Sequence, residues 1–421
     1  MACKGSGVQI PSAPHQTMKS FLNETKELVT SQGLIAVLAI VQVRIVATSL
    51  GPEDYGLIGI YLGIIALCFR ILNSRNSDLV LINSKSTDKE FIKSAILFEI
   101  ILGVVSCSAV YAIIFLFPSN NFFNFTSTPN YLIFFIFTRI FFNIFEVFRV
   151  ILTYKGDMKT YSFVESFSNI VRFSFVVILI SIDTSIKSFF YALSMHQLLV
   201  SLVIFILLTK NINKQKANIS FVDYFKLSKL NFYKIRTDQG IGLIPTHLDV
   251  VIIGYFADFY SAGIYRIAKK LIDPINYLIV AFSPWMLNKI NEDKRYNFKK
   301  LTFKILIPIA ISLIIFYYFF GDTFIELIAG KEFSDSYIPM LILLVGFLSY
   351  FLTFWTRHFL FLNNLIFKHT IGRIINLVVF LITSPYLITN FGFNGIAFAI
   401  SIAIIFQKIY EFSVYFQNRN S

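Results

Sequence analysis

Long apolar runs recur from one end of the sequence to the other. A helix that crosses the hydrocarbon core of a bilayer needs about 20 mainly apolar residues. Twelve runs of roughly this length are separated by polar connections, and they cover 30–50, 57–82, 92–117, 131–152, 162–181, 188–209, 241–257, 262–287, 301–320, 337–362, 370–389 and 393–415. The runs are continuous, whereas the strands of an outer-membrane barrel alternate apolar and polar residues. The sequence therefore predicts an all-α polytopic membrane protein with twelve transmembrane helices.

The composition excludes the common soluble classes. Hydrophobic residues make up 56% of the 421 residues and charged residues only 14%, whereas soluble domains carry about 25% charged residues. The three cysteines lie far apart and form no CxxC or Cys/His cluster, so we expect them to pack in the protein without binding a metal. No GxxxxGK[ST], HExxH or GxSxG motif occurs. We therefore expect neither enzymatic activity nor a cofactor.

Basic residues are concentrated in alternate connections. The net charge is +13, and membrane proteins retain lysine and arginine in their cytoplasmic loops. The connections at 51–56 and 118–130 contain no lysine or arginine, whereas the connection at 210–240 is long and strongly basic. This alternation predicts that both termini lie in the cytoplasm. We attribute the basic loop to topology and to contact with anionic membrane lipids, and we expect no nucleic-acid partner.

The basic loop divides the chain into two halves of six predicted helices each. We expect an N-terminal lobe at 18–209, a linker at 210–240 and a C-terminal lobe at 241–421. Residues 1–17 are polar, and we expect them to be disordered or a non-native extension, so that either Met1 or Met18 is the true start.

Two turns suggest an internal repeat of these halves. LGPEDYGLIGIY (50–61) follows the first predicted helix, and YFADFYSAGIYRIA (255–268) follows the seventh. Parallel repeats are a transporter architecture. The alternative is that such turns simply favour Gly, Asp and Tyr.

Many ionisable residues fall inside the predicted spans, although each costs about 2.5–3.5 kcal/mol at the bilayer centre. The deep basic candidates are Arg44, Arg70, Arg139, Arg172, Arg266, Lys269 and Lys270. The deep acids are Glu146, Asp249 and Asp273, which we assign a coupling or structural role. Because the bases outnumber the acids, we predict a cavity with positive potential. Arginine binds two phosphate oxygens at once, so the hypothesis is an anionic substrate with a phosphate or pyrophosphate group.

The same charges also suit structural roles. The deep bases are compatible with salt bridges between helices, and Asp249 suits pairing with a base, binding of a coupling cation, or helix packing. Three arginines near the predicted inner ends, Arg149, Arg357 and Arg373, are expected only to extend to the lipid headgroups.

Two stretches resemble a known family. LGPEDYGLIGIY resembles the opening of polysaccharide and O-antigen flippases of the multidrug/oligosaccharidyl-lipid/polysaccharide exporter superfamily, and HLDVVIIGYFADFYSAGIYRIAKKL (247–271) resembles their helix 7–8 segment. The positions that match are Gly51, Pro52, Tyr55, Gly56, Asp249, Gly263 and Tyr265. One departure is that many relatives carry an arginine just before the LG pair, where this chain has ATSLG.

The resemblance implies two six-helix lobes around a central cavity. It also implies a flippase that moves an undecaprenyl-pyrophosphate-linked oligosaccharide, the repeat unit of O-antigen or another surface polysaccharide, across the bacterial inner membrane by alternating access. Membrane lipids and other polysaccharide assembly proteins are the further partners implied.

Two alternatives are a cation-coupled multidrug antiporter and an integral-membrane polysaccharide polymerase. Surplus deep bases disfavour the antiporter, which exports cations. The polymerase is disfavoured because the longest outer segment is only 321–336.

Overall fold

The computed structural model describes residues 18–72, 89–116, 130–155, 158–211, 240–292, 302–363 and 365–418. Nearly all of these residues are helical. The helices are α1 (Met18–Leu72), α2 (Lys89–Leu116), α3 (Asn130–Lys155), α4 (Met158–Ile182), α5 (Ile186–Asn211), α6 (Gly240–Phe256), α7 (Phe259–Glu292), α8 (Ile307–Ile328), α9 (Tyr337–Thr353), α10 (Trp355–Leu362), α11 (Ile366–Phe391) and α12 (Phe393–Asn418). A π-helical turn at Thr302–Leu306 leads into α8, and a 3₁₀ turn at Lys331–Ser336 leads into α9.

These helices account for all twelve predicted spans. Nine helices among the described residues are long and apolar enough to cross a membrane. One of them, α1, contains two predicted spans, and the short α6 and the charge-rich α7 supply the remaining two. The predicted all-α, multi-pass architecture is therefore confirmed. Residues 1–17 and most of the predicted linker, 212–239, lie outside the described residues.

The first two predicted spans join at a sharp bend within α1. Gly51 has φ 75° and ψ 174° there, a conformation that costs a side chain heavily but glycine little. Pro52 follows and has no backbone N–H to continue the helical ladder. The Gly-Pro pair of the first motif therefore ends one span and begins the next.

The two motif turns pack against each other with reciprocal contacts. A side chain at Gly56 would clash with the backbone carbonyl oxygen of Phe259, and a side chain at Gly263 would clash with that of Pro52. The spacing is the same on both sides: Gly56 comes four residues after Pro52, and Gly263 comes four residues after Phe259. Small residues allow membrane helices to approach this closely. The contact between α1 and α7 therefore has the two-fold symmetry expected if the turns are copies of one repeat.

A continuous buried core joins both parts of α1, parts of α2 to α5 and the helices of the C-terminal half. A smaller core joins α2, α3, α4 and α5. Large apolar side chains remain exposed along many helices, as expected where lipid is the solvent.

Candidate functional site

A cavity of about 560 Å³ lies between the second part of α1 and the helices of the C-terminal half. Its ionisable side chains are His247, Asp249, Tyr265, Arg266, Lys269, Lys270, Asp273, Tyr350 and Arg373. Uncharged polar side chains also line it, namely Thr246, Asn276, Asn376 and Gln407. The cavity therefore combines the charged faces of α6 and α7 with polar groups from α9, α11 and α12.

The face of α7 that enters the cavity follows from helical spacing. Arg266, Lys270 and Asp273 stand at positions i, i+4 and i+7, which share one side of a helix. The neighbouring helix α1 has no side chain at Gly59, where a Cβ would lie 2.7 Å from Cδ of Arg266. The glycine therefore leaves the space through which the arginine reaches the cavity.

Asp249 is fully buried and anchors the first ion pair. Its carboxylate accepts hydrogen bonds from Nζ of Lys269 at 2.5 Å and from the hydroxyl of Tyr265 at 2.9 Å. Lys269 also donates to the carbonyl of Thr246 at 2.6 Å. A buried carboxylate needs this compensation, because an isolated buried charge is very costly. Asp249, Tyr265 and Lys269, which all lie within the second motif stretch, thus hold α6 against α7.

A second ion pair lies one turn further along α7. Nζ of Lys270 is 2.8 Å from Oδ2 of Asp273, and both side chains are partly exposed to the cavity. Each lysine of the predicted site therefore has an acidic partner. The positive potential cannot come from the lysines.

Arginines supply the surplus charge. Arg266 donates to the carbonyl of Tyr55 at 2.6 Å, and its guanidinium lies 4.2 Å from the centre of the Tyr55 ring. It forms no ion pair with any residue that the structure describes. Arg373 lines the same cavity from α11, next to Gly242 of α6. The lining thus contains two arginines and two lysines against two aspartates.

The structure brings together five of the predicted residues and leaves others elsewhere. Arg266, Lys269, Lys270, Asp249 and Asp273 share the cavity. The remaining basic candidates with described side chains, Arg44, Arg139 and Arg172, do not line it. The side chains of Arg70 and Glu146 lie outside the part of the chain that the structure describes.

Arg44 is exposed on the surface of α1. The guanidinium carbon of Arg139 lies 5.0 Å from the centre of the Phe142 ring. The centre of that ring is in turn 5.4 Å from the centre of the His196 ring. The buried Nε of Arg172 has no hydrogen-bond partner among the described residues. These bases therefore belong to the helices of the N-terminal half.

The expectation that the inner arginines only reach toward lipid headgroups is wrong for two of them. Arg149 forms an ion pair with Glu165 and donates to the hydroxyl of Tyr161 at 2.9 Å. Arg373 faces the cavity. Position along a helix predicts depth in the membrane, but it does not predict the direction in which a side chain leaves the helix.

A buried cluster beside the cavity is absent from the sequence-based candidates. The carboxylate of Glu411 accepts hydrogen bonds from Lys408 at 2.7 Å, Gln407 at 2.8 Å and Thr356 at 2.9 Å. Nδ1 of His369 lies 3.0 Å from Oε1, the carboxylate oxygen that also accepts from Gln407. The i, i+3 pair of opposite charges inside an apolar run was the signal available in the sequence.

The fold is shared with solved transporters of low sequence identity. The lipid II flippase MurJ in an inward closed conformation has a TM-score of 0.72 and 20% identity, over 92% of this chain and 87% of that one. A MOP superfamily transporter from Pyrococcus furiosus, described as having a binding pocket of reverse polarity, has a TM-score of 0.68 and 15% identity over 96% of each chain. An inward-facing multidrug resistance MATE family transporter of that superfamily has a TM-score of 0.68 and 16% identity, over 94% of this chain and 98% of that one.

Sequence comparison identifies the family. No curated protein sequence matches the chain significantly. A family model described as polysaccharide biosynthesis protein matches residues 45–338, which are 294 of the 421 residues. The match includes both motif turns and the charged face of α7. The chain therefore belongs to the polysaccharide biosynthesis protein family and has the fold of the MOP superfamily transporters.

Proposed function

We propose that this protein is a flippase for an undecaprenyl-pyrophosphate-linked oligosaccharide, the repeat unit of O-antigen or another surface polysaccharide. It moves this lipid across the bacterial inner membrane by alternating access of the central cavity. Both termini lie in the cytoplasm in this proposal, as the basic loops predict. Membership of a polysaccharide biosynthesis family and the fold shared with a lipid II flippase support the assignment.

The surplus of arginine in the cavity carries the proposal. Asp249 and Asp273 neutralise the two lysines, so Arg266 is left with a carbonyl and an aromatic ring as its partners. A partly buried cation without an acid is costly, and an anionic ligand removes that cost. The planar guanidinium binds two phosphate oxygens in parallel. A pyrophosphate between the sugar and the lipid suits this cavity better than a cationic drug does.

The cavity walls also suit a ligand with a long apolar tail. The cavity lies at the contact of the two halves, so a headgroup can occupy it while the tail remains in the bilayer. Rocking of the two halves would then expose the headgroup to each side in turn. Such transport requires no covalent step, and the proposal assigns none.

Deletion of the gene in the source strain tests the proposal. We expect loss of the surface polysaccharide and accumulation of its lipid-linked repeat unit on the cytoplasmic side. Complementation with Arg266→Gln should restore export about ten- to a hundred-fold less well than the wild-type gene, because charge-assisted hydrogen bonds contribute about 1.5–3 kcal/mol each. Normal polysaccharide with increased sensitivity to cationic dyes would instead identify a drug antiporter.

The matched control is Arg357→Gln. Arg357 lies over the ring of Phe361 and does not line the cavity, so this variant should export normally. Equal loss of export in both variants, at equal protein levels in the membrane, would reject the role of Arg266. Single repeat units on the cell surface without long chains would point to a polymerase.

A further inference from the structure

The cavity has an uncharged polar face in addition to its cationic one. Asn276 comes from α7, Tyr350 from α9, Asn376 from α11 and Gln407 from α12, and all four line the cavity. Three of them are amides, each of which offers both donors and an acceptor. We call these four residues the amide face.

Two of the amides have no side-chain hydrogen bond to any described residue. Asn376 is only 8% exposed, and neither it nor Asn276 forms a side-chain hydrogen bond with a residue that the structure describes. Buried polar groups in proteins are hydrogen-bonded in the large majority of cases. An amide that faces a cavity without a protein partner is therefore ready to bind a ligand or water there.

The other two members of the amide face, Gln407 and Tyr350, contact the buried Lys408–Glu411 pair. Nε2 of Gln407 donates to Glu411 at 2.8 Å, so one end of this amide is fixed and its carbonyl oxygen remains available. Nζ of Lys408 lies 4.3 Å from the centre of the Tyr350 ring, on the side of the buried cluster. Lys408 in turn binds Glu411 at 2.7 Å. The buried ion pair thus positions both the amide and the ring toward the cavity.

This chemistry matches a neutral sugar. A sugar residue is uncharged and carries hydroxyl groups that both donate and accept hydrogen bonds, as amides do. Its C–H face is apolar and packs on an aromatic ring such as that of Tyr350. Sites built to bind hydroxyl groups discriminate strongly, because their polar groups stay unpaired when the hydroxyl is missing.

We propose that the amide face is a subsite for an uncharged sugar of the lipid-linked ligand, while Arg266 and Arg373 meet the pyrophosphate. This inference rests on the proposed flippase function. It assigns recognition of the sugar to α9, α11 and α12, and it makes Lys408 and Glu411 positioning residues for that recognition.

Two lipids separate the sugar from the pyrophosphate. The purified full-length protein is titrated with the lipid-linked oligosaccharide extracted from the deletion strain, and with undecaprenyl pyrophosphate. We expect the wild-type protein to bind the sugar-bearing lipid at least about ten-fold more tightly, which corresponds to one or two net hydrogen bonds. Asn376→Leu and Gln407→Leu should each remove most of this preference and leave the affinity for undecaprenyl pyrophosphate unchanged.

Three further variants control the measurement. Asn390→Leu makes the same change on α11 at an exposed residue whose Nδ2 donates to the carbonyl of Tyr386, and it should keep the full preference. Arg266→Gln should weaken binding of both lipids by a similar factor. Glu411→Gln should lower the preference less than Glu411→Ala does, because only the glutamine retains an acceptor for Gln407.

The outcomes distinguish the two proposals. Equal binding of both lipids by the wild-type protein, or a parallel loss of both affinities in Asn376→Leu and Gln407→Leu, would overturn the sugar subsite and leave the flippase proposal standing. Failure of the wild-type protein to bind either lipid would reject both. Retained affinity for undecaprenyl pyrophosphate in the variants shows that they are folded.

Discussion

Replacing Lys408 by methionine should destabilise the protein far more than a surface substitution does. Glu411 is 0% exposed and Lys408 only 3%, so the lysine is the buried counter-charge of a carboxylate that cannot reach water. Methionine keeps most of the apolar stem and removes the ammonium. The carboxylate would retain its contacts with Thr356, Gln407 and His369.

The magnitude follows from the burial of the pair. Removing one partner of a buried ion pair costs about 3–5 kcal/mol, because the other charge stays buried without its counter-charge. Removing both charges is often neutral or even stabilising. We therefore expect Lys408→Met to lose about 3–5 kcal/mol of the free energy of unfolding, and Lys408→Met/Glu411→Met to recover much of that loss.

Trp355 provides a local probe for the measurement. It is buried, its ring lies 4.8 Å from that of Tyr415, and it immediately precedes Thr356 of the cluster. The chain contains two tryptophans, so Trp285→Phe leaves Trp355 as the sole tryptophan, which is excited selectively at wavelengths that tyrosine does not absorb. Unfolding of the purified protein in mixed micelles is then followed by its fluorescence.

Lys187→Met is the matched control, since Lys187 is exposed near the start of α5. It should stay within about 0.5 kcal/mol of the parent protein. A loss below about 1 kcal/mol in Lys408→Met would refute the argument. A double variant that loses the sum of the two single losses would refute it too, because residues in one ion pair are not additive.

Two further predictions concern the helix packing and the loops. Gly56→Ala should destabilise the protein by about 1–3 kcal/mol through overpacking, while Gly33→Ala, where nothing lies within 4 Å of the new methyl group, should not lower the melting temperature. The hydroxyl groups of Ser185 and Ser188 donate to Asp183, which lies between α4 and α5, and hold the pKa of that carboxyl below its usual 3.8. The stability that this carboxylate contributes is present above pH 3.8 and is lost as the pH falls through its lowered pKa. At neutral pH the melting temperature of Asp183→Asn should therefore lie below that of the wild-type protein. At low pH the two melting temperatures should converge.

Apolar run length predicted the helices because the bilayer leaves the backbone no other way to satisfy its hydrogen bonds. Run length also placed the end of the first span at residue 50, next to the bend that the structure shows at Gly51. The composition of the site was harder to predict. The rotation of each helix about its axis decides whether a base faces lipid or cavity, and packing between distant segments sets that rotation. For this reason Arg44, expected in the cavity, lies exposed outside it, whereas Arg373, expected at the headgroups, lines it.

The buried cluster was missed for a related reason. Lys408 and Glu411 lie near the end of the last predicted span, where charged residues usually reach the interface. The partners that hold these charges inside the protein come from other helices, among them Thr356 on α10 and His369 on α11. Those partners are more than 38 residues away in sequence, so no local pattern reveals them.

The backbone contact of α1 with α7 has a consequence for opening. Where Gly56 and Gly263 meet the opposing carbonyl groups, backbone packs directly on backbone, and a gap of about 1 Å would remove up to half of such short-range attraction. A neighbouring hydrogen bond also joins α7 to α1, from the side chain of Arg266 to the carbonyl of Tyr55. The guanidinium that faces the cavity thus also links the two turns, so a phosphate group that competed for Arg266 would weaken this link.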